Sequence, residues 1–106
     1  MKIRIEKSSL DGKIDVIESK SMAHRYLVLA AGCRDQTQIE IDNLSRDIVT
    51  TMDALKDLGI HLSYEEGKIQ VRGDKLKNAR LNCWESGSSL RFILPFAFHQ
   101  KNRVEF

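Results

Sequence analysis

The sequence predicts one small α/β domain of the α+β kind, on three observations. At 106 residues the chain has room for a single apolar core, because domains commonly run to about 100–150 residues and two would not fit. Runs with period-two alternation are interleaved with stretches of 3.6-residue periodicity, in the order β-α-β-α-β-β, a βαβαββ unit. Glycine and Asx residues fall at the junctions, where turns need them.

Ile3 and Ile5 alternate with Lys2, Arg4 and Glu6, the pattern of a half-buried strand over 2–6. Asp11-Gly12 then marks a turn before Lys13-Ile14-Asp15-Val16-Ile17, so 1–17 is expected to be a hairpin. From Ser21 a helix is predicted, with Met22, Tyr26, Leu29 and Cys33 as its apolar stripe, Ala23, Leu27 and Ala30 widening it, and Gly32 as its stop. Thr37–Ile41 reads as a strand closed by Asp42-Asn43. Ser45 is a candidate cap for a helix over 45–58 that carries Ile48, Met52, Leu55 and Leu58 and ends at Gly59. Ile60–Tyr64 and Lys68–Arg72 flank a glycine turn as a second hairpin.

No element is assigned over 73–84. Ser86-Gly87-Ser88-Ser89 precedes a third helix, expected to bend or break near Pro95. Arg103–Phe106 reads as a strand just begun, so the chain is expected to be a piece of a longer protein. Val104 and Phe106 would then expose an unpaired edge and favour self-association.

Apolar residues at 42% and charged residues at 30% exclude the low-hydrophobicity signature of disorder. No apolar run approaches the ~18–20 residues that span a bilayer, and Met1 leads into charged residues rather than a signal-peptide core. A soluble cytoplasmic protein without membrane contact is expected. Cys33 and Cys83 show no metal-ligand spacing and are read as buried free thiols, with no metal site. The net charge of +2 does not argue for nucleic acid, which needs clustered Lys and Arg, whereas small anions remain open as ligands.

Two helix N-termini have the chemistry of anion sites. At Ser19–Arg25, unpaired backbone N–H groups and the positive helix end favour an anion, Ser21 adds a hydroxyl and Lys20 a mobile charge. Arg25, one turn on from Ser21, offers a planar fork to a carboxylate. The same residues would also make an ordinary capped helix with solvated cations. At Glu85–Arg91, Gly87 lets a ligand approach the backbone, and Ser88 and Ser89 supply hydroxyls. Glycine and serine are also common turn residues, and Arg91 has Glu85 as a possible partner. His24 is read as structural rather than as an acid or base.

Together these segments resemble the enolpyruvyl transferase family, specifically the 5-enolpyruvylshikimate-3-phosphate synthases. Their Ser-Lys-Ser-x-x-His-Arg motif is matched in full by Ser19-Lys20-Ser21-Met22-Ala23-His24-Arg25. Asn43-Leu44-Ser45-Arg46-Asp47 is similar to their Asn-Leu-x-Ser-x-Asp stretch, one residue shorter and with Arg46 where an acid is usual. The Leu58-Gly59 helix end also matches. Glu85-Ser86-Gly87-Ser88-Ser89-Leu90-Arg91 is similar to their Asn-x-Gly-Thr-x-x-Arg loop, keeping Gly87, a hydroxyl at Ser88 and Arg91 but placing Glu85 at the Asn.

The resemblance covers essentially the whole chain. It implies a longer, two-lobed enzyme built from βαβαββ units, with 18–106 in the first lobe, including the start of a second unit, and the 1–17 hairpin in the other lobe or a hinge. The implied reaction moves the enolpyruvyl group of phosphoenolpyruvate to the 5-hydroxyl of shikimate 3-phosphate, a step towards the aromatic amino acids, with no metal or organic cofactor. Lys20 would contact both substrates, Ser21 and Arg25 would hold shikimate 3-phosphate, and Gly87 would lie against phosphoenolpyruvate. Asp47, Ser88 and Arg91 would shape the cleft behind them. No acid–base residue is implied within the chain, which would be an inactive half-site. The full enzyme would be monomeric. The sister enzyme acting on UDP-N-acetylglucosamine, whose pattern has Lys-Asn and lacks His-Arg, is the nearer alternative. A non-catalytic α/β binding module is the other.

Overall fold

The computed structural model describes residues 1–9, 11–14, 19–98 and 103–106. It is an α+β arrangement of α1 (Lys20–Ala31), β1 (Thr37–Glu40), α2 (Arg46–Asp57), β2 (His61–Glu65), β3 (Lys68–Arg72), β4 (Ala79–Arg80), α3 (Gly87–Ala97) and β5 (Val104–Glu105). β3 lies between β1 and β2, antiparallel to both, with Ile39 opposite Ile69 and Leu62 opposite Val71. α1 and α2 cover one face of this sheet, and α3 packs against both helices. The other face carries Gln38 and Gln70, whose amides hydrogen-bond at 2.7 Å across the strands.

α2 forms where its sequence periodicity puts it: Ile48, Met52, Leu55 and Leu58 are all buried. Ser45 caps it by accepting from the Ile48 N–H. Gly59, at φ 104°, ends it, with its N–H donating to Lys56 and that of Ile60 to Leu55, the two bonds of a Schellman stop. The β2–β3 hairpin turns through Glu66 and Gly67, both at positive φ, as a two-residue turn of the twist-matched kind requires.

α1 has the expected limits, but only the widening part of its expected stripe, Ala23, Leu27 and Ala30, turns inward. Ala23, His24, Leu27, Ala30 and Ala31 are buried, whereas Met22, Tyr26 and Leu29 are exposed. Both stripes are apolar, so periodicity alone does not choose between them; three alanines allow the other helices to approach closely, and that contact decides. Pro95 does not break α3, which continues through it to Ala97. The proline sits in the last turn, where little helix remains to be lost.

Residues 1–9 form no strand, contrary to the expected hairpin, and Ile3 and Ile5 are exposed. A strand needs a partner edge and cover for its apolar side, and the described residues supply neither here. The expected second arm lies mostly outside the described residues. The unassigned stretch 73–84 contributes β4, which pairs in parallel with β5, so the last strand has a partner on one side; Phe106 stays half exposed beside Phe98. Neither cysteine is buried as expected: Cys33 is exposed just beyond the α1 cap and Cys83 is half-buried.

Candidate functional site

Three helices point their first turns at one region. Lys20, the first residue of α1, reaches Asp47 in the first turn of α2, with Nζ 3.1 Å from Oδ2. Ser89, in the first turn of α3, donates from Oγ to the Asp47 carbonyl at 3.2 Å. Ser19, Ser45 and Ser86 each cap one helix by accepting a single backbone N–H, from Met22, Ile48 and Ser89. The N–H groups of Lys20, Ser21, Gly87 and Ser88 have no acceptor among the described residues.

The charges sharpen this. α1 and α3 have no acidic residue in their first turns, and α2 has only Asp47. Lys20 adds a cation to a helix end that is already positive, and Arg25 and Arg91 add two more from the second turns of α1 and α3. Arg25 of α1 and Arg91 of α3 both stand over the Phe92 ring, each with Cζ 5.7 Å from its centroid. That shared ring brings the two guanidinium groups to one neighbourhood.

Lys20 and Asp47 are thus joined directly, and Arg25 and Arg91 through Phe92. Ser21, Gly87 and Ser88 touch none of the other predicted residues through side-chain bonds; they belong to the group by standing on the same helix starts. Gly87 needs no glycine for its own sake: its φ is not positive, and a Cβ there would meet open space. Glu85 is exposed and, among the described residues, forms no ion pair. It lines a small cleft of about 290 Å³ with Arg46, Asp47, Thr50, Trp84 and Ser86, where the Arg46 guanidinium lies 5.8 Å from the centre of the Trp84 ring.

Beneath the helix starts lies a polar group that sequence reading did not assemble. His24 is 1% exposed, and its Nδ1 lies 2.7 Å from Thr51 Oγ1. Thr51 Oγ1 is 2.7 Å from Ser89 Oγ, which is also 2.7 Å from Ser86 Oγ. The imidazole stacks on Phe92 with ring centres 6.0 Å apart, and its Nε2 has no partner among the described residues. Burial pushes the His24 pKa down, offset in part by the Asp47 carboxylate and reinforced by Lys20. A structural role, as read from the sequence, agrees with this burial. The available signal was Thr51 itself, a polar side chain in the apolar stripe of α2.

A larger cavity of about 620 Å³ lies at the other end of the helical layer, where Arg34, Arg72 and Lys75 surround Gly32 and Phe96. Here the cations face helix C-termini, whose negative ends they complement, so its size does not make it the better anion site. Among the described residues no cluster of His, Cys, Asp and Glu is arranged to hold a metal ion, and no helix is long and apolar enough to cross a membrane.

Residues 5–106 match the family model described as EPSP synthase (3-phosphoshikimate 1-carboxyvinyltransferase). The 3-phosphoshikimate 1-carboxyvinyltransferase of Clostridium perfringens is 37% identical over 109 residues, which cover 99% of this chain and 26% of the relative. The protein of that name from Clostridium novyi is 35% identical, with 98% of this chain and 27% of the relative covered. That from Clostridium kluyveri is 32% identical, with 90% and 23% covered. The chain spans about a quarter of the length of these relatives.

Proposed function

This chain belongs to the EPSP synthase family, and on that premise we propose that it supplies a substrate-binding half-site for enolpyruvyl transfer from phosphoenolpyruvate to the 5-hydroxyl of shikimate 3-phosphate. The observation that carries the proposal is the meeting of three helix N-termini with Lys20, Arg25 and Arg91 against two acidic neighbours, Asp47, which is paired with Lys20, and Glu85. Such a place attracts a doubly charged phosphate and a carboxylate, and both substrates bear both groups.

Arg25 pairs with the shikimate carboxylate through its fork, and Ser21 donates to the same ligand. Lys20 serves both substrates: its ion pair with Asp47 is half exposed and worth about 0–1 kcal/mol, so an incoming phosphate displaces it at little cost while Asp47 keeps the ammonium nearby. Gly87 leaves phosphoenolpyruvate room to lie against the start of α3. Ser88 and Arg91 shape that wall. Glu85 opposes an anion there, and Arg46, across the same cleft, is placed to offset it.

In the transfer the 5-hydroxyl gives up its proton as its oxygen bonds to C2 of phosphoenolpyruvate, and the bond from C2 to the phosphate oxygen breaks, releasing inorganic phosphate, which takes up that proton. The proton moved onto and off C3 is handled by groups outside this chain, so the chain alone binds without turnover. Residues 18–106 form part of the first lobe, and 1–17 belong to the other lobe or a hinge. The complete protein is cytoplasmic and monomeric, while this chain, with Leu29, Phe98 and Phe106 exposed, self-associates at high concentration.

The test is titration with shikimate 3-phosphate and with UDP-N-acetylglucosamine, followed by amide NMR shifts. Millimolar binding of the shikimate ligand alone, about 4 kcal/mol, with shifts at Ser21 and Arg25, is expected. A response only to the nucleotide sugar would transfer the assignment to the sister reaction.

A further inference from the structure

The hydroxyl group beneath the helix starts has one solution for its protons. Four contacts must each have a donor: His24 to Thr51, Thr51 to Ser89, Ser86 to Ser89, and Ser89 to the Asp47 carbonyl. A carbonyl only accepts, so the single Ser89 hydroxyl proton goes to Asp47. Ser89 Oγ must then accept from both Thr51 and Ser86. Thr51, its own proton committed, can only accept from His24. The donor at the head of the chain is therefore Nδ1–H, and Nε2 is left as a bare lone pair, matching the one buried side-chain atom without a partner among the described residues.

The other tautomer reverses His24–Thr51, takes the Ser89 proton away from Asp47 and buries an N–H with no acceptor. An unmatched buried acceptor is tolerated better than an unmatched donor. An imidazolium also carries that stranded N–H and adds a buried charge. Each member of the chain stands on a different helix from the next: His24 on α1, Thr51 on α2, Ser89 on α3, and the Asp47 carbonyl back on α2.

We infer that His24 is a positioning residue, whose Nδ1–H heads a one-way run of hydrogen bonds that sets the spacing of the three helix N-termini forming the anion half-site. The inference rests on the proposed half-site for its purpose, though not for its geometry. His24 touches no ligand; it acts through Thr51 and Ser89 on the backbone that does.

Nitrogen-15 NMR of the unmodified chain near neutral pH reads the tautomer directly. A protonated Nδ1 with a bare Nε2 is expected, and an Nε2–H form would overturn the inference. Two variants read the coupling without ligand. His24→Asn keeps an amide donor close to the Nδ1 position, and His24→Leu keeps bulk and removes the donor. In His24→Leu the amide signals of Ser21, Asp47 and Gly87 should move together, and His24→Asn should restore them; shifts confined to α1 would sink the coupling. Affinity for shikimate 3-phosphate should fall about tenfold in His24→Leu, the effect of roughly one lost hydrogen bond, and recover in His24→Asn. Equal affinity in both variants would overturn the positioning role. If the unmodified chain fails to bind that ligand, the proposed function is at fault, and the tautomer and amide readouts still decide the role of His24.

Discussion

Lys20 stands at the start of α1, where the helix field is already positive, with Arg25 and Arg91 one turn further along α1 and α3; at the other end of the layer Arg34, Arg72 and Lys75 stand where the field is negative. The same residue types thus have opposite meanings. Cations at helix C-termini finish a structure, and the larger cavity among them is already compensated. Near the helix N-termini Lys20 is met by Asp47, while Arg25 and Arg91 form no ion pair among the described residues, and that is the charge the proposed ligand would meet. Backbone packing differs in the same way. At the C-terminal end Gly73 is pressed against the chain, where a Cβ would lie 2.3 Å from the Cys33 carbonyl oxygen, while at the N-terminal end the space beside Gly87 is open.

Replacing the two glycines is the strongest way to break this comparison. Gly73→Ala forces backbone apart and should cost about 1–3 kcal/mol or more in urea unfolding, whereas Gly87→Ala should leave stability within about 0.5 kcal/mol. Equal losses would show that the two ends are not distinct. Next in size, Arg25→Ala should weaken shikimate 3-phosphate binding by about tenfold or more, since hydrogen bonds to charged groups contribute roughly 1.5–3 kcal/mol, with little change in melting temperature. An Arg25→Ala chain that unfolds early instead would make this cation structural, like those at the far end.

Acid should act on the N-terminal end through His24. Its folded-state pKa lies below the ordinary value of about 6.5, so its contribution to stability is complete above that pH and is lost as pH falls towards the folded value. The slope cannot exceed about 1.4 kcal/mol per pH unit for one proton. Asp47, Lys20 and, beyond the Phe92 ring, Arg25 and Arg91 are the charges near it. Stability of the His24→Asn chain measured over the same range should lack this component; an unchanged profile would assign the acid sensitivity elsewhere. The smallest effect is expected from Lys75→Gln, about 0.3–1 kcal/mol of stability from loss of a cation near helix ends, with ligand affinity untouched.

Helix limits were legible because caps and stops are local: Ser45, Gly59 and Ser86 act on amides and carbonyls a few residues away. The motif residues were legible for the same reason, since a helix start advertises itself in sequence. The inward face of α1 was legible only in Ala23, Leu27 and Ala30, because which side of the wide stripe is buried, and His24 with it, is decided by what α2 and α3 bring to it. The expected strand over 2–6 failed for want of a partner, and β4 was invisible because two residues hold no period.

The sequence by itself determined where the helices begin and which residues stand near their starts, the residues from which the proposed fit to phosphate and carboxylate is argued. These are short-range matters of capping, charge and backbone freedom. Only the tertiary structure decided that the three starts meet, that Asp47 holds Lys20, and that His24, Thr51 and Ser89 join them from below. Residues 27 and 38 positions apart become hydrogen-bond partners only when helices pack, and no local pattern encodes the angle at which they do.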